Sequence, residues 1–301
     1  MTITATPPAA PPPAPPSAGT VPRKNRFNWS RMWVVARTDL RSLLLQRDFW
    51  LPMALLGSFF FVIVPVFLLG VIGAIGTNGA VQGVAQAVQA LPKAAQDAIP
   101  QISPIGQVQY MIAVYLLAPI AVVVPLTISS AIGASTIVGE RERGTGEFLA
   151  HSPADTREIY LGKLLASIIP GYITTVVGFG IYALLVNLIV GPKVGYWFFP
   201  TASWWLLIVW VLPPFLAITL SLVLRLSSRV KSTAAAQQAT GLVTLPLILI
   251  AYGQSTGALA SGGATVSIII GLIAWTIAAF SLLLGVRSIR RGQLLGVADG
   301  T

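Results

Sequence analysis

Long apolar runs alternate with short charged segments along this chain. Five runs lack any charged residue, and each exceeds the roughly 20 apolar residues that a helix needs to cross a bilayer core of about 30 Å: 49–92, 98–139, 164–192, 194–224 and 232–286. The last run is long enough for two crossings and is interrupted by a polar, glycine-rich stretch at 253–263. The pattern therefore predicts six transmembrane helices, at about 51–76, 109–138, 161–190, 202–224, 233–256 and 264–287.

The continuous character of these runs predicts helices rather than strands. In lipid every backbone group must be bonded within its own segment, and strands of a membrane barrel would alternate apolar and polar residues. Pro119 and Pro125 in the second predicted helix, and Pro246 in the fifth, mark positions for a kink or for packing alone. The fold class predicted from the pattern is an all-α integral membrane protein.

A pattern with helical period precedes the first long run, over residues 28–48. Its apolar residues recur at steps of three and four and share one face: Trp29, Met32, Trp33, Ala36, Leu40, Leu43 and Leu44. Arg31, Arg37, Asp39 and Arg41 lie off that face. An amphipathic helix with tryptophans at its apolar edge is typical of the membrane interface. We therefore predict an N-terminal interfacial helix over 28–48 that includes Trp29, Trp33, Arg37 and Arg41.

The segment before this helix is rich in proline and alanine. Residues 1–24 have too few large apolar side chains to build a core, so we predict a disordered cytoplasmic tail followed by a transmembrane domain over 25–301. The tail either stays solvated or docks on a partner.

Basic residues orient the predicted helices. With six spans both termini lie on one side, and with the N-terminus inside, 17 of the 19 Lys and Arg residues fall in inner segments. The positive-inside rule therefore predicts a multi-pass membrane protein with cytoplasmic N- and C-termini. The net charge of +10 is explained by this topology and by attraction to anionic headgroups, so no nucleic-acid partner is expected.

Composition narrows the chemistry further. Only 9% of residues are charged, against about 25% in soluble domains, and the mean hydropathy is +0.79. There is no cysteine and a single histidine, His151, so the sequence offers no metal cluster. Residues 139–146, GERERGTG, space two glycines like a phosphate-binding loop, but Thr145 stands where that loop needs lysine. We expect no catalytic residue, bound metal or cofactor, and an outside energy source for any uphill transport.

One short patch gathers much of the charge. Nine of the 28 charged residues lie between Glu140 and Lys163. Phe148 and Leu149 form an apolar bump within it, and Asp155 with Glu158 three residues later has the spacing of a capping box. The patch predicts a short helix parallel to the membrane, held between the ends of the second and third spans. The alternative is a solvated turn whose charges only prevent insertion.

The same patch resembles the cytoplasmic loop of ABC type-2 exporter permeases. The resemblance rests on Glu140-Arg141-Glu142-x-Gly144-Thr145-x-Glu147, on Pro153 and on TREIYLGK at 156–163. The interfacial helix, the six spans and the position of the loop between spans two and three agree with it. Gly146 stands where the family commonly has leucine, and FLAHSP is less apolar than usual.

This resemblance implies a coupling helix that docks on a separate ATP-binding subunit, present in two copies and carrying ATP and Mg²⁺. The implied coupling residues are Glu140, Arg141, Glu142, Arg143, Gly144, Thr145, Glu147, Phe148 and Leu149. It also implies export, a location in the bacterial plasma (inner) membrane and a second permease copy, with a homodimer preferred to a mixed pair. The few charges in the spans favour a lipophilic or amphipathic substrate. Two alternatives stay open: a six-span carrier or channel that works without an ATPase, and a membrane protein that recruits a cytoplasmic regulator.

Overall fold

The structure, a computed structural model, describes residues 27–75, 86, 89, 93–142, 152–227 and 263–288. Within these ranges every regular element is a helix and there is no strand. The α-helices are α1 Trp29–Leu45, α2 Arg47–Ser58, α3 Val64–Ile75, α4 Lys93–Asp97, α5 Pro104–Met111, α6 Ile120–Glu142, α7 Thr156–Ile189, α8 Gly191–Val194, α9 Ala202–Trp205, α10 Leu212–Ser227 and α11 Gly263–Ser288. Three π-helical segments, Phe59–Ile63, Ile112–Leu116 and Leu206–Val211, lie within the longer helices.

Five continuous helices are long and apolar enough to cross a membrane. We call them, in chain order, the first, second, third, fourth and last spans: Arg47–Ala74, Pro104–Thr136, Thr156–Ile189, Ala202–Leu226 and Thr265–Arg287. Each overlaps a predicted helix, and the first three begin four or five residues earlier, because a helix continues into polar residues beyond its apolar stretch. The predicted helix 233–256 and the N-terminal tail lie outside the described residues. The all-helical fold is confirmed for the described residues, and the count of six spans stays a prediction.

The second span is the centre of the bundle. In its most apolar stretch 72% of residues are buried, against 22% in the first and last spans. The third and fourth spans pack on it, and the last span packs on the third and fourth. The core draws on the second, third and fourth spans and on the first span, as in Phe61, Ile112, Leu126, Phe179, Trp204 and Leu216.

Small residues bring these helices together. A Cβ on Gly171 of the third span would lie 2.8 Å from the Pro125 carbonyl oxygen of the second. A Cβ on Gly133 of the second span would lie 2.7 Å from Leu220 of the fourth. Small side chains at such crossings let the backbones approach closely. In a bilayer the hydrophobic effect does not drive helices together, so this close packing is what stabilises their association.

Cross-helix hydrogen bonds give the direction of each span. Thr136 of the second span pairs with Ser167 of the third, and Ala113 pairs with Tyr182, so these two spans are antiparallel. The fourth and last spans run in the same direction, because Trp210 bonds to Ile268 and Ser221 bonds to Ser281. The bundle thus has a loop end, with α1 and the start of α7, and a far end, with α5 and α8.

The second span is broken where Pro119 interrupts it. The Leu117 N–H donates to Ile112 O, and the Ala118 N–H donates to Tyr115 O. These two bonds skip the carbonyls of Ala113 and Val114. Pro119 has no N–H to offer. Side chains take over: the Tyr182 hydroxyl donates to Ala113 O at 2.6 Å, and the Trp204 indole donates to Val114 O at 2.9 Å. Broken helices persist at membrane depth when the protein satisfies the freed groups in this way.

Removing one of these donors is expected to destabilise the bundle. Tyr182→Phe keeps the ring but leaves the buried Ala113 carbonyl without its side-chain partner, a loss of about 1–3 kcal/mol. Thermal unfolding of the detergent-purified protein measures it as a lower midpoint. Tyr196→Phe is the matched control, since that side chain is 62% exposed. Equal shifts in the two variants would rule out the bond as the cause.

Candidate functional site

The predicted coupling residues lie at and beyond the end of α6. Glu140, Arg141 and Glu142 form its last turn, so the second span continues into the charged patch as a helix. Arg143, Gly144, Thr145, Glu147, Phe148 and Leu149 lie outside the described residues, and the short helix proposed for them stays a prediction. The chain is described again from Ser152, just before α7. The structure therefore defines the base on which this loop stands.

Glu158 joins the start of α7 to α1. Its Oε2 accepts the Asp155 backbone N–H at 2.9 Å, which completes the predicted capping box with Asp155 as N-cap. Its Oε1 accepts the Asn28 backbone N–H at 2.7 Å, and the side chain is fully buried. A carboxylate in the first turn of a helix is stabilised by the helix dipole. The capping box is confirmed, and the bond to α1 is one that the sequence did not indicate.

α1 lies directly on the first turns of α7. Asn28 caps α1 by accepting the Ser30 N–H at 2.9 Å, and the Arg31 guanidinium donates to Pro153 O at 2.9 Å. At Gly162 a Cβ would lie 2.9 Å from the Met32 carbonyl oxygen, so any larger residue would push α1 away. α1 is thereby held against the start of α7, the helix that follows the loop.

Lys163 connects three helices in the interior. Its side chain is fully buried, Nζ donates to Thr136 O in α6 at 3.0 Å, and Nζ lies 3.7 Å from Asp39 Oδ2 in α1. The Thr136 hydroxyl also lies 3.3 Å from the Ser167 hydroxyl, one turn further along α7. We call Asp39, Thr136, Glu158 and Lys163 the loop-base cluster, since together they fix both helices that flank the loop to α1.

α1 contacts the bundle through only part of its predicted apolar face. Met32, Ala36 and Leu43 are buried, while Trp29 and Trp33 are 70% and 50% exposed. Asp39, predicted to lie off the apolar face, belongs to the inward stripe because positions 32, 36, 39 and 43 recur at helical spacing. Neighbouring stripes of α1 have the same spacing, so the sequence alone did not single out this one.

The predicted arginines Arg37 and Arg41 lie on the exposed side of α1. The helix ends at Leu45 instead of 48, because Gln46 adopts an extended backbone before α2 begins. The contact of these tryptophans and arginines with the membrane surface stays a prediction.

A second polar link leads from α7 to the remaining spans. The Tyr160 hydroxyl donates to Ser221 Oγ at 2.9 Å, and Ser221 Oγ donates to Ser281 O at 2.9 Å. The Arg225 guanidinium also donates to Ser281 O. All three helices meet here at the loop end, so displacement of the start of α7 reaches the fourth and last spans directly.

A separate polar contact holds the far end. The Lys193 ammonium in α8 donates to Gln109 Oε1, and Gln109 Nε2 donates to Leu69 O at 2.6 Å. This contact ties the first and second spans to the turn after the third. It uses a lysine that keeps part of its surface exposed, in contrast to Lys163.

Polar contacts connect the helices at the loop base. Its charged groups are engaged with backbone groups and with each other. In the described part of the chain, no three His, Cys, Asp or Glu side chains gather closely enough to hold a metal ion. What the geometry supplies is a stiff connection between the loop and the bundle.

Breaking the Lys163–Asp39 pair is expected to loosen this connection. Lys163→Met removes the ammonium and leaves Asp39 largely enclosed without it. We expect the free energy of unfolding to fall by up to about 3 kcal/mol, the low end for a buried pair, because Asp39 keeps 18% of its side chain exposed. Adding Asp39→Leu should restore part of the loss, because no unpaired charge remains. The thermal midpoint measures both.

Lys193→Met is the control, because it removes a lysine at the far end, which does not pair with Asp39. A double variant no more stable than Lys163→Met would contradict the pairing.

A comparison with models of protein families finds a match over most of the chain. The family model described as ABC-2 family transporter protein matches residues 33–290, which covers all five spans and the loop base. No curated protein matches the chain.

Proposed function

The chain belongs to the ABC-2 family of transporter proteins, and from this we propose that it is the membrane-spanning permease subunit of an ATP-driven exporter. Separate ATP-binding subunits, two per assembly, bind ATP with Mg²⁺ and hydrolyse it, while this chain itself performs no catalysis. Their motion enters through the loop after α6 and drives efflux of a lipophilic or amphipathic substrate. Family membership and five apolar helices make the chain a multi-pass membrane protein.

The observation that carries the proposal is the construction of the loop base. Lys163 and Glu158 bind both flanking helices and α1 through buried polar contacts. A loop on such a base moves the second and third spans together when it is pushed, and Tyr160 extends the displacement to Ser221 in the fourth span. A solvated turn that only prevents insertion would not need two fully buried ionisable side chains beneath it.

The loop residues then take distinct roles in docking. Phe148 and Leu149 fill an apolar groove on the ATP-binding subunit, and Gly144 allows the tight break after the helix. The acidic residues pair with basic groups of the rim, and the basic residues pair with acidic groups: Glu140, Glu142 and Glu147 in the first set, Arg141 and Arg143 in the second. Charge pairs of this kind set orientation more than affinity.

The direction of the helices supports six crossings. The fourth span ends at the loop end, and the last span, which is parallel to it, begins at the far end. Chain connectivity therefore calls for one more crossing between Ser227 and Gly263, and the predicted helix 233–256 supplies it.

The distribution of charge supports a cytoplasmic loop end. Basic residues of α1, α2, α7, α10 and α11 gather there: Arg31, Arg37, Arg41, Arg47, Arg157, Lys163, Arg225 and Arg287. By the positive-inside rule both termini are cytoplasmic, in the inner membrane of a bacterium. The exposed Trp29 and Trp33 of α1 then lie at the boundary between headgroups and acyl chains.

Six spans form half of a twelve-helix pathway, so we propose a homodimer, with a mixed pair as the other outcome. A carrier that works without an ATPase gains little support from the structure. Lys163 lies only two turns into α7, at the loop end, and is paired with Asp39. Coupled carriers keep such groups near the middle of the membrane.

Docking is tested by uncoupling. In a reconstituted complex with its ATP-binding subunit, Phe148→Ala and Glu147→Gln should abolish the change in ATP turnover that the wild-type permease causes, and export with it. Phe67→Ala, an exposed apolar position in the first span, should leave both unchanged. If wild-type and loop variants support identical turnover and export, the coupling role is wrong.

The sixth crossing is tested by labelling single cysteines, which the cysteine-free chain makes simple. In intact cells a membrane-impermeant thiol reagent should label Ser261→Cys and leave Ser228→Cys unlabelled until the membrane is opened. Tyr196→Cys at the far end and Thr38→Cys in α1 calibrate the two sides. The same response at 228 and 261 would exclude a crossing between them.

A further inference from the structure

A groove opens between the first and third spans on the outside of the bundle. Its volume is about 310 Å³. One wall carries Ala54, Ser58 and Val62 of the first span, and the other carries Ile173, Val177 and Ile181 of the third. Because both walls belong to membrane spans, the open side faces hydrocarbon rather than water.

Glycines and a π-helical segment form the floor of this groove. A Cβ on Gly178 would lie 2.7 Å from Phe61 Cγ, and a Cβ on Gly57 would lie 2.9 Å from Thr174 Cγ2, so the two spans touch at these points. The π-helical turn at Phe59–Ile63 brings Phe61 fully inside while Phe59 and Ile63 stay about half exposed. The groove is the open space between the two spans on the outer side of this contact.

A positive charge stands in line with the groove at the loop end. Arg47, the first residue of α2, is exposed and lies 7 and 11 residues before Ala54 and Ser58. At 100° per residue these three positions share one face of the helix, and Arg47 lies about 10 Å from Ala54 along the axis. The neighbouring acid, Asp48, is turned about 100° away.

We propose that the groove binds one acyl chain of an anionic phospholipid of the surrounding bilayer, with the lipid phosphate against Arg47. Apolar walls open to hydrocarbon select a lipid tail, and the arginine at the end where headgroups lie selects an anionic head. A second copy of the chain would bring an apolar helix to the groove, but basic residues outnumber acidic ones at its described loop end, which disfavours it as the partner of the guanidinium. The bound lipid wedges between the first and third spans and supports the base of α2.

Lipid retention tests the site without any transport measurement. The full chain, purified in mild detergent, is titrated with phosphatidylglycerol and with phosphatidylcholine of identical acyl chains, and bound lipid is counted by native mass spectrometry. Wild-type protein should retain phosphatidylglycerol about fivefold more strongly, the contribution of one arginine near an anionic surface. Arg47→Gln should reduce this to the phosphatidylcholine level, while Arg37→Gln on exposed α1 should not.

Filling the groove separates tail binding from head binding. Ala54→Phe and Ser58→Phe place a ring in the groove from exposed positions and should lower retention of both lipids several-fold, whereas Ile63→Phe, exposed on the same span but outside the groove, should have no effect. Equal retention in filled and wild-type proteins overturns the proposal, as does phosphatidylglycerol binding that ignores Arg47. A filled variant that loses its dimer instead would assign the groove to a second copy. Because ATP turnover plays no part, these outcomes are independent of the exporter function.

Discussion

The buried ammonium of Lys163 is the constraint on which the loop end depends. An ionised group without solvent must be compensated by charge and hydrogen bonds, or it is expelled from the interior. Asp39 supplies the charge and the Thr136 carbonyl supplies a hydrogen bond, and they come from two different helices. Satisfying one side chain therefore fixes the relative positions of α1, α6 and α7. A purely apolar contact would tolerate sliding, whereas here sliding would leave a buried charge without its partners.

The far half of the bundle is organised by a different requirement, the saturation of backbone groups in lipid. Pro119 breaks the second span and leaves carbonyls that no water can reach. Tyr182 and Trp204 donate to them from the third and fourth spans. The break thus joins three spans by hydrogen bonds that an unbroken helix would not offer. The two ends are held by polar contacts, and the glycine crossings between them allow close packing.

This division of contacts suits a protein that is driven from one end. At the loop end, every described span except the first is reached by polar contacts that start at α7. The first span and the last span keep most of their surface outside the bundle. A push at the loop would therefore be delivered first to the inner helices, while the outer surfaces remain available to lipid or to a second permease.

The sequence by itself determined the class of the protein, the approximate positions of the five apolar helices that the structure describes and the charged segment between two of them. Those features follow from the cost of placing charge and unpaired backbone in lipid, which acts residue by residue along the chain. Local chemistry also sufficed for the Asp155–Glu158 capping box. Only the tertiary structure decided that Asp39 faces inward, that Lys163 is buried and that Tyr182 completes a broken helix. Each of these depends on a partner distant in the chain, and no periodicity within a single helix specifies which partner it meets.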